Sequence, residues 1–150
     1  MQAPIPQPLY EKILDVMPIL CVDFVLYDKG KVLLTRRTDE PAKDQWWVQG
    51  GRVFKHETLD EAVQRLSKRE VGLEVEVIKQ LGVYEYQFDK ANFGITSGTH
   101  TVAVTYLVKP REENFQVSLD TTHSSYRWVD QIEKDLDPYV KRVLRDANVF

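Results

Sequence analysis

The sequence of 150 residues contains a single cysteine, Cys21, and no long apolar run. One cysteine cannot close an intramolecular disulfide, so nothing in the chain calls for an oxidising compartment. Its place within the apolar run "ILCVDFVLYD" favours a packed core position. No apolar run approaches the ~18 residues that a membrane-spanning helix needs, and no signal peptide is evident. We therefore expect a cytoplasmic protein.

The sequence also has no excess of positive charge. The 20 lysine and arginine residues stand against 23 aspartate and glutamate residues, which gives a net charge of −3. This balance argues against a nucleic-acid partner and against binding to a membrane surface. It is compatible with one phosphorylated ligand held by a local arginine cluster. The content of 43% hydrophobic and 29% charged residues is ordinary for a globular domain with a core.

The chain divides into an N-terminal arm with a short helix, residues 1–17, and a single domain, residues 18–150. Alternating apolar and polar residues predict strands in this domain, and "DKGK" predicts a tight turn between the first two. The predicted strands are "ILCVDFVLYD", "VLLTRR", "LEVEVIKQLGVYEYQF", "THTVAVTYLV" and "YRWV". "WWVQGGRVF" is predicted to be a short strand or bulge that its glycines break. "DKANFGITSG" is a predicted loop, and a helix ends the chain. This order predicts an α/β fold in which a mixed β-sheet packs between helices, an α/β/α sandwich.

One helix carries an acid on its apolar face. Thr58 and Glu61 fit a capping box at its start, and Gly72 suits the left-handed residue after its end. Glu70 continues the stripe formed by Leu59, Ala62, Val63 and Leu66. An unpaired carboxylate is costly to bury, so Glu70 needs a cation or several hydrogen-bond donors. It forms either a structural ion pair with an arginine or a metal site.

The residues around this helix favour a site for a diphosphate and a metal. Gly50 and Gly51 allow a ligand to approach the backbone closely. Arginine forks match phosphate oxygens, and Mg²⁺ prefers one or two carboxylates together with phosphates and water. Each arginine also has a simpler interpretation: it is solvated, or, for Arg65, paired with Glu61 one turn away. The arginines concerned are Arg36, Arg37, Arg52 and Arg65.

The segment "GGRVFKHETLDEAVQRLSKREVGL" resembles the Nudix box. The matching positions are Gly51, Glu57, Arg65, Glu70, Gly72 and Leu73. Leu66 and Arg69 stand where ordinary Nudix hydrolases have metal-binding glutamates. In this respect the segment is similar to the GDP-mannose mannosyl hydrolase branch, which lacks the same two acids. The resemblance extends over residues 18 to 130.

The resemblance implies an Mg²⁺-dependent homodimer, with Mn²⁺ as a possible replacement. It implies hydrolysis of a GDP-sugar, GDP-mannose or GDP-glucose, by attack at the anomeric carbon, which gives GDP and an inverted free sugar. The metal ligands would be Glu70 and the Gly50 carbonyl, with Thr122 in a position where the branch has glutamine. The charge on the leaving diphosphate would be countered by Arg37, Arg52 and Arg65.

His123 lies in a polar stretch before the last predicted strand. From the residues alone it is either a solvated loop histidine or a base in a sugar pocket; the resemblance implies the general base. The implied substrate-binding residues are Asp23, Tyr86, Arg37 and Arg52, and His100 is a further candidate. Tyr86 replaces a histidine of the branch, Thr101 replaces a tyrosine, and Gln49 replaces a common proline.

Two other functions stay open from the sequence. One is a Nudix pyrophosphatase that cleaves the P–O–P bond of a nucleoside diphosphate derivative. The other is a module that binds a nucleotide sugar without turnover, which an incomplete metal site at Thr122 would favour.

Overall fold

A computed structural model of the chain describes residues 5–91 and 95–150. Within these residues, three helices and seven strands are found. The helices are α1 (Gln7–Val16), α2 (Leu59–Val71) and α3 (Pro138–Ala147). The strands are β1 (Ile19–Asp28), β2 (Lys31–Arg37), β3 (Trp46–Trp47), β4 (Gln49–Arg52), β5 (Val75–Phe88), β6 (Thr99–Pro110) and β7 (His123–Val129). No helix among the described residues is long and apolar enough to cross a membrane.

The sheet is mixed, with β1 at its centre. β1 runs parallel to β6 and antiparallel to both β2 and β4. β5 pairs with β6, and β7 pairs with β2, in each case antiparallel. Strands β1 and β2 form the predicted hairpin through a turn in which Lys29 and Gly30 both have positive φ.

Helices cover both faces of the sheet, as the α/β/α prediction requires. The apolar side of α2, with Ala62, Val63 and Leu66, packs on Phe24 and other side chains of one face. The apolar side of α3 packs on the opposite face. Because β1 is covered on both sides, six consecutive residues from Cys21 to Leu26 are buried. The predicted fold class is confirmed.

The ends of α2 follow from local chemistry. The Thr58 hydroxyl accepts from the backbone N–H of Glu61 at 3.2 Å, and the Glu61 carboxylate accepts from the backbone N–H of Thr58 at 2.8 Å. Gly72 ends the helix with φ of 74°. The predicted capping box and helix end are therefore confirmed, and they fix where Glu70 lies.

Two pairings bring distant residues together at one side of the sheet. In the β1–β4 register, Asp23 lies opposite Gly50. In the β2–β7 register, Arg37 lies opposite His123, after a shift in register between Arg36 and Arg37. Such a shift is typical of a β-bulge.

Some predicted boundaries differ. "WWVQGGRVF" forms two short strands, β3 and β4, that are separated by Val48. The predicted break at the glycines is wrong, because Gly50 and Gly51 lie within β4 and pair with β1. Residues 1–4 of the predicted arm and residues 92–94 of the predicted loop lie outside the described residues. The division into an arm and a domain at residue 17 stays a prediction.

Candidate active site

A cavity of about 220 Å³ lies at the side of the sheet where Asp23, Gly50 and His123 meet. Four residues that line it come from four different elements: Asp23 from β1, Gly50 from β4, Glu70 from α2 and His123 from β7. The predicted site residues that line it are Asp23, Arg37, Gly50, Arg52, Glu70, Tyr86, Thr122 and His123. Arg65 and His100 were also predicted, but they do not line this cavity.

Glu70 is 2% exposed and has partners on both carboxylate oxygens. Oε2 accepts from the backbone N–H of Gly50 at 3.1 Å, and Oε1 accepts from Nη2 of Arg69 at 2.8 Å. Burial raises the pKa of Glu70, and the neighbouring His123 and Arg69 oppose that shift. The carboxylate therefore has the arginine partner that its burial requires, and it also faces a cavity large enough for a ligand.

His123 is buried at the start of β7, next to Glu70. Its Nε2 lies 4.0 Å from Oε2 of Glu70, which is beyond hydrogen-bonding distance. Its Nδ1 lies 2.9 Å from Oδ1 of Asp120 and 3.1 Å from the Thr122 hydroxyl. With Nδ1 held by a carboxylate, Nε2 is the ring nitrogen that is available on the side of Glu70.

Asp120 organises this corner of the cavity. Its Oδ1 accepts from the backbone N–H of Thr122 at 3.0 Å and from the Thr122 hydroxyl at 2.7 Å. Partial burial acts to raise the pKa of Asp120, but the hydrogen bonds from Thr122 and His123 outweigh it and hold the pKa below its usual value. Asp120 is therefore ionised at neutral pH, and the Thr122 hydroxyl is committed to it.

Asp23 is a buried acid whose place depends on Gly50. Its Oδ2 accepts from the Tyr139 hydroxyl at 2.6 Å. Burial raises the pKa of Asp23 to about 6, although the hydrogen bond from Tyr139 and the charge of Arg37 favour the ionised form. A side chain at position 50 would collide with the Asp23 carboxylate and with the carbonyl of Val22. Glycine is needed here because the strand backbone passes so close to Asp23.

Aromatic rings form the wall beside Asp23. The Tyr139 ring stacks on Trp47 with centroids 5.2 Å apart, and its centroid lies 4.5 Å from that of Tyr86. Phe88 packs against Trp47 at 5.7 Å. The cavity thus has a charged side and an aromatic side, an arrangement that suits a ligand with a phosphate part and a ring that can stack.

The predicted arginines differ in their positions. Arg37 lines the cavity, and its Nε donates to the carbonyl of Pro41 at 2.7 Å. The Arg52 guanidinium, which also lines the cavity, lies over the rings of Tyr10 and Phe54 at 4.9 and 5.2 Å. Both guanidinium groups are thus beside the cavity, where they can reach an anionic ligand.

Arg65 points away from the cavity. It donates to Glu57 through Nε at 2.6 Å and through Nη2 at 2.9 Å, and it donates to the carbonyl of Arg52 at 2.9 Å. The alternative interpretation, an Arg65–Glu61 pair, is wrong, because the Glu61 carboxylate belongs to the capping box. Arg65 therefore supports the backbone that carries Arg52.

His100 lies outside the cavity as well. Its Nε2 lies 2.8 Å from Oε1 of Glu85, on the surface of the β5–β6 pair. Gln49, which stands in place of a common proline, is fully buried, and its amide donates to the carbonyl of Leu33 and to the hydroxyl of Thr35. Thr101, which stands in place of a tyrosine, lines the cavity and lies opposite Tyr86 in the β5–β6 register.

Three residues around the cavity are not among the predicted site residues: Arg69, Asp120 and Tyr139. Asp120 has a signal in the sequence, because a catalytic base is commonly oriented by a third group and Asp120 is an acid close to His123 in the chain. Arg69 was noted only as the replacement of a glutamate. No sequence pattern indicated Tyr139, which is 116 positions away from Asp23.

The donor set fits a single divalent ion with few protein ligands. In the part of the chain that the structure describes, no group of three or more His, Cys, Asp and Glu side chains could hold a metal. The cavity does present the buried carboxylate of Glu70 and the backbone of Gly50 beside room for phosphate and water. Mg²⁺ is commonly bound in this way, through one carboxylate and substrate phosphates.

Comparisons with known proteins agree on one family. Residues 17–146 match the family model of the NUDIX domain. The low-salt glycan biosynthesis protein Agl8 of Haloferax volcanii is 35% identical over 140 residues, which cover 93% of this chain and 88% of that protein. The ADP-ribose pyrophosphatase of Methanocaldococcus jannaschii is 40% identical over 67 residues, which cover 45% of this chain and 40% of that protein.

Solved structures give the same result. The crystal structure of the MutT NUDIX hydrolase from Burkholderia pseudomallei superposes with a TM-score of 0.70 at 25% identity, over 87% of this chain and 98% of that one. Nudix hydrolases generally use divalent metals such as Mg²⁺. The chain belongs to the Nudix family, whose members hydrolyse nucleoside diphosphate derivatives.

Proposed function

We propose that the protein hydrolyses a GDP-sugar, GDP-mannose or GDP-glucose, by attack of water at the anomeric carbon. Ordinary Nudix hydrolases have metal-binding glutamates at the positions that Leu66 and Arg69 occupy here, so Glu70 is the carboxylate that remains. This single carboxylate is the observation that carries the proposal. A relative whose name refers to glycan biosynthesis is consistent with a sugar nucleotide. GDP is the nucleotide that the resemblance implies.

The charged side of the cavity would bind the diphosphate. Glu70 and the backbone at Gly50 would hold one Mg²⁺, for which Mn²⁺ could substitute, and the ion would supply positive charge next to the leaving group. Arg37 and Arg52 would donate to the phosphate oxygens as negative charge develops on them. Arg65 would act indirectly, because its bond to the Arg52 carbonyl holds that strand in place.

His123 would be the general base. The water oxygen bonds to the anomeric carbon, and its proton moves to Nε2 of His123. The bond from that carbon to the β-phosphate oxygen breaks, and its electron pair leaves with GDP. Asp120, which is bound to Nδ1, would stabilise the imidazolium that forms. Asp23 and the aromatic wall at Tyr86 would contact the substrate beside this centre.

One distance favours a second candidate function. A base that serves an anomeric carbon needs to lie away from the metal, yet Nε2 of His123 is 4.0 Å from Glu70. In that position it could also activate a water next to phosphorus. A pyrophosphatase that cleaves the P–O–P bond is therefore the alternative. The expected homodimer and cytoplasmic location stay predictions.

Product analysis separates the two reactions. The protein is incubated with GDP-mannose, GDP-glucose and Mg²⁺ in ¹⁸O-labelled water, and the products are identified by mass. GDP together with a free sugar that carries the label supports the proposal. GMP together with a sugar 1-phosphate overturns it in favour of the pyrophosphatase, and binding without turnover overturns both.

A variant of the base tests the assignment of His123. We expect His123→Ala to lower turnover by about 10²- to 10⁴-fold while GDP binding, followed by calorimetry, changes little. The matched control is His56→Asn, because His56 is exposed with φ of 68°, a conformation that asparagine tolerates. Full activity of His123→Ala would refute the assignment.

A further inference from the structure

Arg69 places a positive charge inside the cavity, directly beside the candidate metal ligand. Its Nη2 donates to Oε1 of Glu70 at 2.8 Å, and its Nε lies 3.7 Å from Oδ2 of Asp120. The side chain bridges two acids that come from different elements, the end of α2 and the segment before β7. It is also 50% exposed, so it is free to change its rotamer.

Both oxygens of the Glu70 carboxylate already have a hydrogen-bond partner in this arrangement. One oxygen accepts from Arg69, and the other accepts from the backbone N–H of Gly50. A divalent ion must therefore displace the guanidinium or share the carboxylate with it. Sharing places two cations within a few ångströms of each other in a partly buried site, where their repulsion is strong.

A diphosphate would give the displaced guanidinium a new partner. Arginine binds phosphate oxygens through two parallel hydrogen bonds, and Arg69 lines the same cavity as Arg37 and Arg52. The ion pair between Nε of Arg69 and Asp120 would keep the Arg69 side chain close to the site. The exchange of one anionic partner for another thus requires a new rotamer of Arg69 within the same cavity.

We propose that Arg69 competes with the divalent metal for Glu70 and turns to the diphosphate when the metal binds. Metal alone then binds weakly, and metal together with a nucleoside diphosphate binds strongly. This inference rests on the proposed binding of a diphosphate in the cavity, but not on which bond is cleaved. By thermodynamic linkage, loss of the guanidinium should strengthen metal binding to the free protein and weaken the coupling between metal and nucleotide.

The test measures Mn²⁺ binding to the full chain by electron paramagnetic resonance, with and without GDP. The variant is Arg69→Met, which removes the charge and keeps an unbranched apolar stem. Lys68→Met is the matched control, because Lys68 loses the same charge from the same helical turn. Lys68 is 73% exposed on its side chain and faces Glu74 at 3.7 Å, away from the cavity. Thermal unfolding of each variant confirms that it is folded.

We expect Arg69→Met to bind Mn²⁺ about tenfold more tightly than the wild type in the absence of GDP. The enhancement of Mn²⁺ binding by GDP should be smaller in this variant, and Lys68→Met should behave like the wild type. Unchanged or weaker Mn²⁺ binding in Arg69→Met would overturn the inference, and so would the same tightening in Lys68→Met. If Arg69→Met behaves as expected but the products are GMP and a sugar 1-phosphate, the competition stands and the proposed reaction falls.

Discussion

Replacing Asp23 with asparagine isolates the free energy of holding a carboxylate in the cavity wall. Burial raises the pKa of Asp23 from its ordinary 3.8 to about 6. The folded protein therefore binds the Asp23 proton more tightly than the unfolded chain does. The stabilisation that this proton gives is complete below pH 3.8, and it is lost as the pH rises through about 6. The pKa of the folded state is about two pH units higher than that of the unfolded chain, and this difference corresponds to a free energy of about 3 kcal/mol.

Urea unfolding of the wild type and of Asp23→Asn over pH 4 to 8 measures this loss. Asparagine does not titrate, so any change that it makes in packing adds a constant offset at every pH. As the pH rises from 4 to 8, we expect the free energy of unfolding of Asp23→Asn to increase by up to about 3 kcal/mol relative to that of the wild type. The gain should come with a loss of turnover, because we place Asp23 against the substrate.

Tyr139→Phe gives an independent check on the same group. The Tyr139 hydroxyl donates to Asp23 and favours its ionised form. Its removal should raise the pKa of Asp23 further, so that the loss of stability continues to a higher pH than in the wild type. A difference between the wild type and Asp23→Asn that stays constant over pH 4 to 8 would refute the reasoning.

Two other predictions follow from contacts around the cavity. Gly50→Ala should lower the free energy of unfolding by about 1–3 kcal/mol and abolish GDP binding, because the added methyl group collides with Asp23. Thermal unfolding measures the stability and calorimetry measures the binding; if neither changes, the prediction is wrong. The hydrogen bond from Arg65 lowers the pKa of Glu57, so the stability from this pair is present at neutral pH and lost on acidification. The stability difference between the wild type and Glu57→Gln should therefore shrink as the pH falls; an equal difference in acid would contradict this.

Features that depend on neighbours in the chain could be predicted from the sequence. The capping box at Thr58, the left-handed Gly72 and the β1–β2 hairpin each need only a few adjacent residues. The gathering of Gly50, Glu70 and His123 in one cavity followed from the resemblance, which supplied the fold that joins them. Periodicity alone left Glu70 between an ion pair and a metal site.

The directions of long side chains could not be predicted. The Arg65 side chain pairs with Glu57 instead of Glu61, and the His100 side chain lies next to Glu85 at the surface. Glu57 lies in the segment before α2 and Glu85 lies in β5, so each contact depends on how another segment packs. The bond from Tyr139 to Asp23 joins α3 to β1, so it exists only once the sheet and the helix have packed. Side-chain rotamers of this kind are decided by the tertiary structure, and the sequence limits them only weakly.

The register shift between β2 and β7 leaves Ser124 of β7 without a partner in the ladder and brings His123 opposite Arg37. Arg37 lines the cavity, whereas Arg36 extends to the surface, with Nη2 at 3.9 Å from Asp44. Successive side chains of a strand point to opposite faces, so a slip of one residue exchanges them. In a regular β2–β7 ladder, Ser124 would lie opposite Arg37, so the extra residue in β7 is what places His123 beside that arginine.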